Sequence, residues 1–312
     1  MFSPAEVFSL KKKLRVVVTG GLGDNLLATP YFRYFRLQGR YKQICAVFPR
    51  QAMEIFDRNP FIDEHIPCGK KDIFLWALPE KDVDVFSPYV DVRRKTPSNF
   101  TSRVELSVSR SFNDNSDKQY FYTILSRHHG FPVQDMKPEI FTDPSDEAWA
   151  DDYLKPWKGQ PLLFFHPFSP LREKNLPVSL SRKLISRLKK YFVIFHLPRP
   201  DYPLPGVQAL KFPVSPRKSA ALFKHMSCVV SVNSFPAHLA HAVQIPAVVL
   251  FGPTNPLVYA HPGQIAVQSP VCKPCAGTPK IRRCRSFSCM KTLSVEMIAE
   301  SVCKAASKGM RA

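Results

Sequence analysis

Three clusters and one cysteine group in this chain bring together residue types that can do chemistry. The first is Gly20-Gly21-Leu22-Gly23-Asp24-Asn25. Gly20, Gly21 and Gly23 let main chain approach a ligand closely. Asp24 follows at a helix start, where a carboxylate serves either as a general base or as an N-cap. The spacing is not G-x-G-x-x-G, so no dinucleotide site is indicated. The second is His166-Pro167-Phe168-Ser169-Pro170, followed by Arg172 and Lys174. A polar loop between a strand and a helix can cradle phosphate, with Ser169 in the loop and Lys174 supplying charge. Taken alone, Lys174 reads more readily as a solvated loop lysine. The third is Asn233-Ser234-Phe235-Pro236-Ala237-His238, where a strand breaks into a helix. Ser234 and the helix amides suit a diphosphate, favoured by the helix dipole. His238 alone reads more readily as a satisfied structural imidazole than as a catalyst.

The cysteine group is Cys272-x2-Cys275-x8-Cys284-x4-Cys289. Four thiolates at this spacing suit a tetrahedral zinc or iron ion of structural type. The loop between them carries Lys280, Arg282, Arg283 and Arg285, which could clamp an anionic acceptor or simply face water. Cys45, Cys68, Cys228 and Cys303 read as ordinary small residues, buried or partly so.

These clusters need a scaffold, and the hydrophobic pattern supplies one. Leu14 to Thr19 is a short β-branched run ending at glycines, which predicts a buried parallel strand. A helix is predicted over Asp24 to Leu37. Ile44 to Phe48, Ile62 to Ile66 and Val83 to Phe86 read as strands, with a helix over Gln51 to Arg58 and another over Lys118 to His129, stopped by Gly130 and Pro132. Residues 93–118 have no clear assignment. The pattern restarts with a strand at Leu162 to Phe165. An amphipathic helix follows at Ser179 to Lys190, with Leu184 and Leu188 inward and Arg182, Lys183 and Arg187 outward. Strands at Phe192 to Phe195, Val229 to Val232 and Ala247 to Phe251 alternate with helices at Ser219 to His225 and Pro236 to Ala242. Two successive βα series predict an α/β protein of two doubly wound, Rossmann-like domains, 1–155 and 156–312.

The chain has 312 residues and a formal net charge of +19. The surplus lies almost wholly after residue 155, where 22 Lys and Arg face only four carboxylates (Glu173, Asp201, Glu296 and Glu300). Such asymmetry implies anionic partners for the second half. Between them, His225 and Cys272 bound 48 residues without Asp, Glu, Lys or Arg, but prolines and polar side chains interrupt the stretch, so no membrane span is expected. The start of the chain, with Lys11, Lys12 and Lys13, has no apolar run of secretory type, so a cytoplasmic location and thiol cysteines are expected.

In this order and spacing, the segments resemble the ADP-heptose:lipopolysaccharide heptosyltransferase family. Gly23-Asp24 with Pro30 resembles that family's G-D-x-x-x-x-x-P segment. Asn59-Pro60-Phe61-Ile62-Asp63-Glu64 is also family-like. Lys174-Asn175-Leu176-Pro177 resembles K-x-W-P. Asn233-Ser234-Phe235-Pro236-Ala237-His238 resembles D-[ST]-G-x-x-H, and Phe251-Gly252-Pro253-Thr254 resembles F-G-P-T. Leu176, Asn233 and Phe235 replace the family's Trp, Asp and Gly, and Gly21 stands where Arg or Ser is frequent.

The resemblance implies a GT-B fold, with the two domains facing a cleft. It implies an inverting transfer of sugar from an ADP-heptose-like nucleotide-sugar to a hydroxyl of lipopolysaccharide or another surface glycan. Asp24 would be the base. Ser169, Lys174, Asn233, Ser234, Phe235, Ala237 and His238 would bind the donor, with Asp201 as a further candidate for sugar contacts. No obligatory catalytic metal is expected, because Lys174 and helix amides can hold the leaving diphosphate. The expected partners are the nucleotide-sugar and an anionic acceptor, reached from the cytoplasm and at most peripherally at the inner membrane. Two other readings fit the basic second half: a glycosyltransferase acting on nucleic acid or a modified base, and a non-catalytic zinc protein that binds nucleic acid.

Overall fold

A computed structural model describes residues 13–69, 72–78, 80–89, 120–130, 136–210 and 214–309. Lys11 and Lys12, the unassigned stretch 93–118, the first residues of the helix expected from Lys118, and Pro132 lie outside the described residues.

The chain forms two compact units, which divide between Phe141 and Thr142; Tyr122–Phe141 goes with the first, and Tyr120 and Phe121 go with the second. The first unit contains β1 (Lys13–Val17), α1 (Leu22–Leu27), α2 (Thr29–Leu37), β2 (Gln43–Pro49), α3 (Met53–Phe56), β3 (Glu64–Cys68) and β4 (Val83–Phe86), and it is completed by most of α4 (Phe121–His129). Its strands form a parallel sheet in the order β3-β2-β1-β4. The strands read as near-continuous apolar runs because helices cover such a sheet on both faces. Phe48 stacks on Phe56 at 4.5 Å, and Phe32 meets Phe56 edge-on, closing α2 and α3 over the sheet.

One expected helix is divided. The span Asp24 to Leu37 becomes α1 and α2, which meet at Ala28. Pro30 sits in the first turn of α2. It has no N–H to give, and its ring clashes with the carbonyl four residues back, so a single continuous helix cannot pass through it. The helix expected over Gln51 to Arg58 shortens to a 3₁₀ turn, Arg50–Ala52, running into α3.

The second unit contains α5 (Pro144–Leu154), β5 (Leu162–His166), α6 (Val178–Leu188), β6 (Val193–His196), β7 (Gln208–Ala209), α7 (Pro216–Phe223), β8 (Cys228–Val232), α8 (Phe235–Ala242), β9 (Ala247–Phe251), α9 (Pro256–Tyr259), β10 (Ile265–Gln268), α10 (Pro279–Arg283), α11 (Ser288–Lys291) and α12 (Val295–Gly309). Its parallel sheet has the order β10-β9-β8-β5-β6-β7. Phe165, Val230, Val248 and Leu250 from the strands pack with Leu184 and Leu188 of α6 and with Ile298 and Val302 of α12. The two-residue β7, β10 and α12 were not legible as elements in the sequence.

The acidic segment given to the first half packs instead with the second. Asp143 caps α5 by accepting the N–H groups of Ser145 and Asp146, with Pro144 at the first helical position. Arg217 of α7 then pairs with Asp143 and Asp146, and Lys224 reaches Glu147 and Thr142. Opposite charge thus ties α5 to the basic half. Among the described residues no helix is long and apolar enough to cross a membrane.

Candidate functional site

Each sheet reverses its winding once. In the first unit the switch falls between β1 and β4, in the second between β5 and β8. Loops leaving the C-terminal ends of strands at such a point form a crevice that binds ligands. The sequence clusters emerge at these two places.

In the first unit, Gly20 takes a left-handed φ of +96°. A Cβ there would lie 2.4 Å from Oδ2 of Asp24, so only glycine fits. Gly21 is the N-cap of α1 and donates its N–H to Oδ2 of Asp24 at 2.8 Å. Asp24 is therefore not the N-cap; it sits in the first turn and satisfies the amide of the capping residue. The buried Asn25 donates to the Gly21 carbonyl at 2.8 Å and steadies the turn. From beyond β4, Tyr89 donates its hydroxyl to the Asp24 carbonyl at 2.6 Å. The Asp24 side chain remains exposed.

In the second unit, the loop after β5 is ordered by its own side chains. Ser169 N–H donates to Asn175 Oδ1 at 2.7 Å, and the Ser169 hydroxyl and the Leu171 main chain exchange bonds at 3.0 Å. Leu176 N–H returns to the Pro167 carbonyl, and the Leu176 side chain is buried in the core. Ser169 thus works within the loop and is itself buried. Lys174 leaves the loop, and its ammonium lies 3.4 Å from the Asn233 carbonyl, 59 residues away.

Asn233 directly follows β8, and its side-chain amide donates to the Thr254 hydroxyl at 3.1 Å. The second loop is thereby tied to the Phe251–Thr254 turn after β9. Ser234 caps α8 in extended backbone, with its hydroxyl bonded to the Val232 carbonyl and to Ser231. Pro236 has no N–H, and Ala237 gives its own to the Ser234 carbonyl. The helix mouth thus offers fewer amides than an ordinary first turn, chiefly that of Phe235. Phe235 is half-buried, and Ala237 and His238 are buried.

His238 belongs to a chain of rings that sequence inspection missed. Its Nδ1 lies 2.8 Å from Nε2 of His261, and Nδ1 of His261 lies 2.6 Å from the Tyr120 hydroxyl. Burial, with a smaller contribution from the Lys174 charge, pulls His238 down to about 3. Burial likewise lowers His261 far below the ordinary histidine value, with His238 and His241 adding to it. Both rings are neutral at neutral pH. No local motif marks Tyr120 or His261; only their meeting in space does.

Asp201 lies after β6 in an exposed turn, where both its oxygens pair with the Arg199 guanidinium. Arg199 in turn stacks on Phe168 at 4.8 Å. His166, at the end of β5, is buried beside Phe168, and burial pulls it down to about 3.

The cysteine segment folds onto the turn that follows β9. The amides of Cys275 and Ala276 both donate to the Pro253 carbonyl at 2.8 Å. A Cβ at Gly252 would meet Met290 Sδ at 2.4 Å and Cys289 Sγ at 3.2 Å, so this glycine permits the contact. Arg172 lies over the Phe287 ring at 5.6 Å. Main-chain N–H groups, led by that of Phe287, hold the Cys284 thiol below its ordinary value. Burial, reinforced by Cys272, Cys275 and Cys284, pushes Cys289 up to about 11. Among the described residues, however, no three His, Cys, Asp or Glu side chains are gathered closely enough to hold a metal ion. The four-cysteine metal site expected from the spacing is therefore not shown. Main-chain hydrogen bonds tie the segment to the Pro253 turn. Cys303, expected to be at least partly buried, is exposed; Cys45, Cys68 and Cys228 are buried.

The fold has clear relatives among solved structures. A glycosyltransferase family 9 protein from Veillonella parvula matches with a TM-score of 0.74 at 16% identity, over 96% of this chain and 98% of that one. The iron-containing dodecameric heptosyltransferase TibC of enterotoxigenic E. coli, solved in complex with ADP-D-β-D-heptose, matches with a TM-score of 0.63 at 14% identity, over 97% and 79%. The E. coli ADP-heptose LPS heptosyltransferase II matches with a TM-score of 0.60 at 12% identity, over 96% and 99%. At these identities the likeness establishes the fold, which is of the two-domain GT-B kind. No curated protein matches the chain. The model of glycosyltransferase family 9 (heptosyltransferase) matches residues 118–284, a span that includes Lys174, Asn233 and His238. The reading as a non-catalytic nucleic-acid-binding protein is thereby set aside. With more than half its length matched by that model, the chain belongs to glycosyltransferase family 9, the heptosyltransferase family, and is a glycosyltransferase.

Proposed function

We propose that the protein is an inverting transferase that moves a heptose-like sugar from an ADP-sugar to a hydroxyl of lipopolysaccharide or a related surface glycan. The observation that carries this reading is the approach of Lys174 to the Asn233 carbonyl at the mouth of α8, at the switch point of the second sheet. It sets an ammonium beside a helix start in a stretch free of carboxylates, which is the charge pattern a diphosphate requires.

In this reading Asp24 takes the proton from the acceptor hydroxyl as that oxygen attacks the anomeric carbon. The bond from the anomeric carbon to the diphosphate oxygen breaks as the new one forms on the opposite face, so configuration inverts. Negative charge gathers on the departing diphosphate. Lys174, the Phe235 amide and the Ser234 hydroxyl stabilise it there. Gly20 and Gly21 let the acceptor approach Asp24 closely. Asp201, held by Arg199, is a candidate for contacts at the edge of the donor pocket.

The four cysteines have a donor chemistry that fits a thiolate-bound zinc or iron ion. They act on one another's charge, and amides already support the Cys284 sulfur. Cys272, Cys275, Cys284 and Cys289 would hold such an ion as a structural clasp over the Pro253 turn. The exposed cations of α6, Arg182, Lys183 and Arg187, suit a phosphorylated acceptor at a cytoplasmic membrane surface.

Thermal shift against ADP-, UDP-, GDP- and CMP-sugars tests the donor, since a ligand of the folded state stabilises it by mass action. Stabilisation by ADP-heptose is expected. Stabilisation by another nucleotide-sugar with none by ADP-heptose would reject the donor assignment.

A further inference from the structure

The rings of His238, His261 and Tyr120 form one hydrogen-bonded line, and its chemistry determines where each proton sits. His261 is fixed on several sides. Its main-chain N–H donates to Gln264 Oε1 at 3.0 Å, and the Gln264 side-chain amide donates to the Ala237 carbonyl at 2.7 Å. The His241 ring stacks on His261 at 4.3 Å and 4°. The His238 and His261 rings meet edge-on, at 5.1 Å and 85°. Both are buried, at 7% and 3% exposure.

A phenol is a better donor than a neutral imidazole N–H, and an imidazole nitrogen is a better acceptor than a phenol oxygen. The Tyr120 hydroxyl therefore donates to Nδ1 of His261. A neutral imidazole carries one N–H, so that of His261 is on Nε2 and donates to Nδ1 of His238. With Nδ1 accepting, His238 carries its own proton on Nε2. Nδ1 faces His261, so Nε2 lies on the opposite edge of the ring. His238 stands one turn into α8, whose start at Asn233 and Ser234 the Lys174 ammonium approaches.

We infer that Tyr120 and His261 are positioning residues that lock His238 in its Nε2–H tautomer, so that it presents a neutral hydrogen-bond donor to a nucleoside diphosphate beside Lys174. This rests on the donor reading given above. The division of labour has a physical basis. A second cation beside Lys174 would be repelled by it and would retain the diphosphate product. A neutral, rigid N–H orients the same oxygens without either cost.

The test uses full-length protein with ¹⁵N-labelled histidine and long-range ¹H–¹⁵N spectra, with the His238 signals assigned by their loss in H238Q. In the wild type, His238 Nε2 should show a protonated-type shift and Nδ1 an unprotonated-type shift. Tyr120→Phe should leave the fold in place and convert His238 to a mixture of tautomers. It should also weaken ADP binding about fivefold, the effect of one lost neutral hydrogen bond. His261→Gln can accept from Tyr120 and donate to His238, so it should hold the single tautomer and keep ADP affinity within about twofold. A protonated Nδ1 on wild-type His238, or a single unchanged tautomer in Tyr120→Phe, would overturn the lock. Unchanged ADP affinity in Tyr120→Phe would overturn its role in ligand binding. If the wild type fails to bind ADP, the donor reading falls, and the spectra still decide the lock.

Discussion

The ammonium of Lys174 stands 3.4 Å from the carbonyl oxygen of Asn233, although 59 residues separate them. Adjacent parallel strands make this possible. β5 and β8 are neighbours, with His166 paired to Ser231, so the loops that follow them leave the sheet side by side. The Lys174 ammonium thereby stands at the mouth of α8.

Removing that charge should act on chemistry rather than on folding. Lys174→Met is expected to lower kcat for sugar transfer by about 10²- to 10³-fold, the usual cost of losing one group that stabilises developing charge. The thermal midpoint should move by no more than a few degrees, since the side chain is only half-buried. Steady-state kinetics with ADP-heptose, alongside a melting curve, checks both.

Asp24 has a capping bond as well as its proposed proton-accepting role, and two substitutions separate them. Asp24→Asn keeps an oxygen for the Gly21 N–H, so stability should hold while kcat falls about 10²- to 10⁴-fold. Asp24→Ala should lose the same activity and, in addition, about 1 kcal/mol of stability from the uncapped turn. Wild-type turnover in Asp24→Asn would remove it as the base.

Gly20→Ala forces a Cβ to within 2.4 Å of the Asp24 carboxylate on a backbone with φ of +96°. A cost of about 1–3 kcal/mol is expected. Because the clash is with Asp24 itself, activity should fall more than stability predicts. Denaturant unfolding and transfer rates measured together show this.

The buried histidines make the second unit sensitive to acid. His166 and His238 sit at about 3 in the folded protein and at the ordinary value when unfolded. Below about pH 6.5 the unfolded chain takes up protons that the folded one refuses, so stability present at neutral pH is lost as pH falls from about 6.5 towards 3. Each ring contributes a slope of up to about 1.4 kcal/mol per pH unit across that window. Thermal midpoints from pH 7 to pH 4 should therefore fall, and less steeply in His166→Gln than in the wild type.

Much of this was legible in the sequence, for reasons tied to particular residues. Val16 to Val18 and Ala247 to Phe251 could hardly be anything but buried parallel strands, because their apolar runs are too short for helices and end in glycine. The Asp24, Lys174 and Asn233–His238 clusters were each placed at the end of a strand by local pattern alone. Local pattern could not divide the helix at Ala28, where Pro30 overrules an amphipathic run. Nor could it see that Asp143 and Asp146 belong with Arg217, because ion pairing across 70 residues leaves no local trace. The four cysteines stand at the same boundary between local pattern and packing. Spacing announces a donor set, but the distances among sulfurs depend on how α10 and the Phe287 turn lie on the Pro253 loop. Tyr120, His238 and His261 carry the point furthest. As letters only His238 belongs to a motif; Tyr120 and His261 are an isolated tyrosine and an unmarked histidine, 141 residues apart. Periodicity in the sequence determined most of the strands and the loops that follow them. Tertiary packing alone decided which side chains share a hydrogen bond, because that depends on strand order and burial rather than on neighbours in the chain.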